Sequence, residues 1–240
     1  MTVRTKKDVN ADLGEGFPND AALMPYLSSC NIACGGHTGN KDSITKAVKR
    51  AKRYGVKIGA HPSYPDKENF GRQSIRISKE DFQASIREQL QLFQSVLESE
   101  KMEWHHVKPH GALYNDMAQD SVLSNHFLDV LKEFPTVKKV YCMAGQPIVK
   151  EIQEAGFMPI EEGFADRAYE ENGTLVNRQK KEAVLEDPVA VKQQLVSFQN
   201  GTVKTINGTI IPLSIHTLCI HGDGANAVCF AKTVSKILIS

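Results

Sequence analysis

The stretch Asn40-Lys-Asp-Ser-Ile44-Thr-Lys-Ala47-Val48-Lys-Arg-Ala51-Lys-Arg-Tyr54-Gly55-Val56-Lys-Ile-Gly-Ala-His61-Pro62 decides the fold. Asn40 is a helix cap, Ile44, Ala47, Val48, Ala51 and Tyr54 fall on one face at helical spacing, and Gly55 is the stop. Six residues of strand character follow and end on a histidine braked by proline. That is one helix and one strand, with a polar group where the strand runs out.

The same unit recurs along the chain. Strands are expected near 8–13, 30–34, 56–61, 105–110, 139–143, 157–162 and 215–221. Helices are expected at 120–133, 146–155, 187–198 and 224–238, and in a stretch that Ser78-Lys-Glu-Asp81 caps, with Phe82, Ile86, Leu90, Phe93 and Leu97 on one face. Alternating strand and helix means a parallel sheet with helices outside it. Seven units with no linker or composition break favour one α/β domain over residues 1–240, a seven-stranded (β/α) barrel of the TIM type. A doubly wound open sheet is the second choice. Residues 201–213, with Asn207-Gly208 between β-branched runs, predict a hairpin insertion. Residues 165–187 form a long polar excursion of the kind that makes lids and binding loops.

Strand ends are where such folds collect their chemistry. The chain places His37, His61, His110 and His221 there, with Asp12, Glu15 and Asp223. Asn10 and Asp12 are two apart on a strand and share a face, as do Lys108 and His110. A carboxylate in a run as apolar as that around Asp12 needs a partner. Asp223, two residues after His221, is placed to hold that ring's tautomer or to cap the next helix. Asp12, Lys108, His110, His221 and Asp223 are therefore the catalytic candidates. Asn10, Glu15, His37, His61, Arg72, Asp166, Arg167 and Arg178 are the candidates for holding substrate, the arginines suiting a carboxylate or phosphate. Asp12 with His61 and His110 is the set offered to a divalent metal, although no local signature such as H-E-x-x-H argues for one.

Composition removes other classes. A net charge of +1 without basic runs argues against nucleic acid and anionic membrane as partners. No apolar stretch is long enough to span a bilayer, and the polar start lacks a signal peptide's apolar core. Five cysteines, an odd number lying mostly in apolar runs, read as reduced thiols of a cytoplasmic protein. No G-x-x-x-x-G-K-[ST] loop is present, so ATP, if used, is bound by another subunit.

Six segments, in this order, resemble the LamB/YcsF family. They are Asn10-Ala-Asp-Leu-Gly-Glu15, Asn31-Ile-Ala-Cys-Gly-Gly-His37-Thr-Gly-Asn40, Gly59-Ala-His-Pro-Ser63, Val107-Lys-Pro-His-Gly-Ala-Leu-Tyr-Asn115, Glu162-Gly-Phe-Ala-Asp-Arg-Ala-Tyr169 and His221-Gly-Asp223. They span nearly the whole chain, and the first starts a few residues later than expected. The resemblance implies a barrel akin to the glycoside hydrolase/deacetylase type, though the adjacent aspartates of polysaccharide deacetylases are missing. It also implies cleavage of 5-oxo-L-proline to L-glutamate, driven by ATP, together with 5-oxoprolinase subunits B and C. On that expectation Asp12, then Asp223, is the base for water, His110 or His221 protonates the ring nitrogen, and Lys108 with an arginine steadies the oxyanion. Two other functions stay open: a metal-dependent amidohydrolase or deacetylase acting alone, and a non-catalytic substrate-binding subunit.

Overall fold

The computed structural model describes residues 7–220, 222 and 227–238. Six parallel strands come first: β1 (Asp8–Leu13), β2 (Ser29–Ala33), β3 (Lys57–His61), β4 (His106–Val107), β5 (Lys139–Met143) and β6 (Met158–Phe164). A two-stranded antiparallel hairpin of β7 (Thr202–Lys204) and β8 (Ile210–Pro212) follows, turning at Asn207-Gly208. Then β9 (Thr217–Cys219) pairs with both β6 and β1 and closes a seven-stranded barrel. The helices are α1 (Asp20–Leu23), α2 (Lys41–Tyr54), α3 (Lys79–Glu100), α4 (Gly111–Met117), α5 (Ser121–Leu131), α6 (Ile148–Glu154), α7 (Pro188–Gln199) and α8 (Ala227–Leu238).

Local chemistry accounts for the boundaries. The Asn40 side chain accepts from the N–H groups of Asp42 and Ser43, and Ser43 closes the box by accepting from the Asn40 N–H. Gly55 takes the left-handed φ of 67° that ends α2. Tyr54, expected on the apolar face, is instead 46% exposed, because it lies in the last turn beyond the packed row Ile44, Ala47, Val48 and Ala51. β4 is shorter than the expected 105–110. His110 N–H still bonds to Pro62 O, but Pro109 has no N–H to offer the ladder.

The apolar core lies between the barrel and its helices. Val9, Ala11 and Leu13 of β1 and Cys30 and Ile32 of β2 join Leu23, Ile44, Val48, Ile86 and Leu90 from the helices in one buried cluster. Each large side chain buried there contributes roughly 1.5–3 kcal/mol. The alternate strand residues point inward and are largely polar, whereas branched aliphatic residues commonly fill such a barrel. Asp8, Ser29, Tyr141 and Thr217 share hydrogen bonds at one end. Above them Asn10 donates to Thr217 and Glu162, and Asn31 donates to Asn10 and Asp12.

One row of this interior runs head to tail. The Lys139 ammonium lies 3.0 Å from His105 Nε2, and His105 Nδ1 lies 3.0 Å from His106 Nδ1. His106 Nε2 donates to Asn31 Oδ1 at 2.6 Å, and Asn31 Nδ2 donates to Asp12 Oδ1 at 2.8 Å. Gly59 makes room for the row, since a Cβ there would sit 2.2 Å from His106 Nε2.

Candidate active site

Asp12 stands near the end of β1. Gly14, at φ 75°, turns the chain so that Glu15 comes back over the strand end, and the Gly14 N–H is held by Asp20 Oδ2. His61 is the last residue of β3, and Lys108 and His110 leave β4 two residues apart on one side. Lys108 N–H bonds to Ala60 O, which continues the β3–β4 pairing up to the rim. His37 arrives from the loop after β2. Gly36 lets it approach, because a Cβ there would meet Ser63 Oγ at 2.3 Å.

Side chains distant in sequence meet at this rim. Lys108 Nζ is 3.0 Å from Asp12 Oδ1, 3.1 Å from Glu162 Oε1 and 3.2 Å from Cys219 Sγ. His61 Nε2 is 3.4 Å from Asp12 Oδ2, and His37 Nε2 is 3.1 Å from Glu15 Oε1. His110 stacks on His37 at 3.7 Å between centroids, with Phe70 edge-on to both rings. Two backbone carbonyls hold the rings of His61 and His110: His61 Nδ1 donates to Lys108 O at 2.7 Å, and His110 Nε2 donates to Phe70 O at 2.9 Å. Phe70 aims that carbonyl from a left-handed φ of 56°, a conformation an L-residue rarely adopts.

Electrostatics separates the two rim carboxyls. Burial alone would raise the Asp12 carboxyl, but His61 and Lys108 together hold it well below the usual range. Burial and then the Asp12 charge push Glu15 up to about 7. Burial works against the Lys108 charge too, yet Asp12 and its other anionic neighbours hold its pKa well above the ordinary lysine value. Burial pushes His37 down to about 3 and His110 well below the ordinary histidine value.

A cavity of about 640 Å³ opens above the cluster. Asp12, Glu15, His61, Lys108 and His110 form its floor, and Arg72, Arg167 and Arg178 lie on its walls. The excursion at 165–187 supplies one wall through Thr174 to Gln179. Arg167 faces the cavity with two of its donors held by backbone: Nη2 bonds to Val176 O at 2.6 Å and Nε to Ala183 O at 3.2 Å. Asn10, His37 and Asp166 are buried but do not line the cavity. Asn10 lies in the barrel interior below Asp12, and His37 lies behind His110. His221 and Asp223 lie outside the described residues.

Glu162 and the Phe70 carbonyl belong to the site and are not among the sequence candidates. Glu162, 1% exposed, shares the Lys108 ammonium with Asp12. The Glu161-Glu162 pair within a strand was the available signal, since one of two neighbours must face inward. The Phe70 carbonyl, which orients His110, has no sequence signature beyond the following Gly71.

Asp12, Glu15, His61 and His110 each present one ligand atom, and all four atoms lie within 4.8 Å of one another. Together these groups could orient a water molecule, move protons and bind an anion. The sequence profile of the LamB/YcsF family matches residues 7–240. The chain is 38% identical over 234 residues to the A subunit of 5-oxoprolinase from Neisseria meningitidis serogroup C (strain 053442), covering 97% of this chain and 96% of that one. It superimposes with a TM-score of 0.90 on the crystal structure of the lactam utilization protein from Thermus thermophilus, at 33% identity, covering 98% of this chain and 96% of the other.

Proposed function

The chain belongs to the LamB/YcsF family, and from that premise we propose that it is the A subunit of an ATP-dependent 5-oxoprolinase. In this proposal it opens the ring of 5-oxo-L-proline to L-glutamate in company with B and C subunits. The observation that carries the proposal is its 38% identity, over nearly the full length of both chains, to the 5-oxoprolinase A chain of Neisseria meningitidis. The convergence of two carboxyls, a buried ammonium and two oriented imidazoles on one cavity floor supports the chemistry.

A lactam resists water because amide resonance stabilises its carbonyl and its amine leaves poorly. The partner subunits bind ATP and phosphorylate the lactam oxygen, which breaks that resonance. Water then adds to the carbon, the C–N bond breaks as the ring nitrogen takes a proton, and a further water releases phosphate from the acyl phosphate left behind.

The hydrogen bonds at the rim distribute the roles. Asp12 has Oδ1 engaged by Lys108 and Asn31 and Oδ2 beside His61, so it orients water as a fixed anion. Glu15, held by His37 on the cavity floor, carries the proton from water to the ring nitrogen. His110 has its N–H committed to Phe70 O, which leaves it no proton for the substrate. Lys108 directs its donors at Asp12, Glu162 and Cys219 and acts by fixing the Asp12 charge. Arg72 and Arg178 on the walls suit the substrate carboxylate and the phosphoryl oxygens.

All five cysteines are free thiols, which supports a reducing compartment, the cytoplasm. Among the described residues no helix is long and apolar enough to cross a membrane.

The test is 5-oxoproline-dependent release of ADP and glutamate from the reconstituted complex, with each subunit omitted in turn. Glutamate release should vanish without this chain. Full release by the partners alone would reduce it to a substrate-binding accessory, and release by this chain alone, without ATP, would make it a solitary amidohydrolase.

A further inference from the structure

The two rim histidines face each other the wrong way round for a hydrogen bond. A carbonyl oxygen only accepts, so Lys108 O fixes the hydrogen on His61 Nδ1 and Phe70 O fixes it on His110 Nε2. In the neutral rings the remaining nitrogens, His61 Nε2 and His110 Nδ1, are then both bare, and they stand 3.0 Å apart. Asp12 Oδ2 lies 3.4 Å from the first of them and Glu15 Oε1 lies 3.5 Å from the second. With both carboxyls ionised, four acceptors crowd one point, an arrangement that is repulsive unless a cation sits there.

The surroundings hold this arrangement in place. Phe70 takes an unfavourable backbone conformation to present its carbonyl, and His37 stacks on the His110 ring at 7°. Gly71 packs so closely that a Cβ would lie 3.0 Å from both His110 Cδ2 and His37 Cβ. Imidazoles whose outer nitrogen is tied to a carbonyl are characteristic of metal-bound histidines. Asp12 and Glu162 share the buried Lys108 ammonium, and Glu15 stands beside the two facing rings.

We infer that Asp12, His61 and His110 are the protein ligands of a divalent first-row metal ion, with Glu15 beside its open position. An ion with ligands at about 2.0–2.2 Å sets neighbouring ligand atoms roughly 3.0–3.5 Å apart, and the observed separations of 3.0 and 3.4 Å lie in that range. Two imidazole nitrogens favour zinc, or another late first-row ion, over magnesium or calcium. Three protein ligands and one open position on a cavity are the arrangement of a catalytic rather than a structural ion. The inference stands apart from the oxoprolinase proposal, because its test counts bound metal and not turnover.

The full chain is stripped with a chelator, dialysed, and titrated with Zn²⁺ and separately with Mn²⁺ by calorimetry. Its metal content as purified is measured by mass spectrometry. One equivalent should bind, and Zn²⁺ should raise the thermal midpoint of the wild-type protein. His61→Ala and His110→Ala, shown to be folded by circular dichroism, should each weaken binding at least about tenfold, the smaller loss seen when merely an outer partner of a ligand is removed. His126→Ala, on α5 away from the rim, should not. Absence of binding and of any midpoint shift in the wild type would overturn the inference, and a proton would then be what fills the gap. Binding undiminished in both histidine variants would overturn it equally.

Discussion

His106 and His110 leave the same side of the barrel four residues apart, and both are buried, yet their rings are wired in opposite senses. His106 belongs to the row that starts at Lys139 and ends at Asp12, where each donor meets the next acceptor. It also stacks on Tyr141 at 3.9 Å and needs nothing from outside the chain. His110 and His61 turn their donors outward to carbonyls and leave two acceptors face to face. Burial therefore does not tell a structural histidine from a working one. What the second ring nitrogen faces does.

The largest effects should come from the rim. Glu15→Gln and Asp12→Asn should each lower turnover of the assembled complex by about 10²–10⁴-fold while leaving the circular dichroism spectrum unchanged. Turnover near wild type in either would place the chemistry elsewhere. Lys108→Met should appear mainly as lost stability. It strands the Asp12 and Glu162 charges, and denaturant titration should show a loss of about 3–5 kcal/mol. A neutral result would mean that the two carboxyls are not both ionised in the folded protein.

Effects in the satisfied row should be smaller. Gly59→Ala drives a methyl group into His106 and should reduce stability by roughly 1–3 kcal/mol, with turnover falling only as far as Asn31 releases Asp12. The smallest effect concerns pH. Burial, followed by the Lys139 and Lys57 charges, pushes His105 down to about 4, below the value of about 6.5 it has in the unfolded chain. The unfolded state therefore binds more protons between those limits, so stability drops as pH falls from about 6.5 to about 4. His105→Asn should make that part of the thermal midpoint against pH curve shallower, leaving the slope that His37 and His110 contribute in the same range. Identical slopes for variant and wild type would mean that His105 is already solvated.

What was legible in the sequence was local. Asn40 and Gly55 mark the ends of α2 within a few residues, and the seven strand ends announce where Asp12, His61 and His110 gather. α4 was not foreseen, because it opens on a glycine directly after His110 and is anchored by the Ala112 N–H on Gly71 O, a contact between distant residues. The polar barrel interior was hidden for a related reason. Inward residues such as Ser29, Asn31 and Thr217 are acceptable only once their neighbours across the ring supply partners, and pairing across a ring is not written in any one strand. The sense of the His61 and His110 rings depends on backbone carbonyls, which every residue carries alike.

Arg167 reaches from one limb of the 165–187 excursion to carbonyls on two others, at Val176 and Ala183. It acts as a buckle: with it fastened, the cavity's outer wall is a single panel, although that stretch has no helix and only isolated bridges. A lysine has one point of attachment where the guanidinium has a fork. It would grip one limb and let the other slip, and the outline of the mouth would change without a single floor residue being touched.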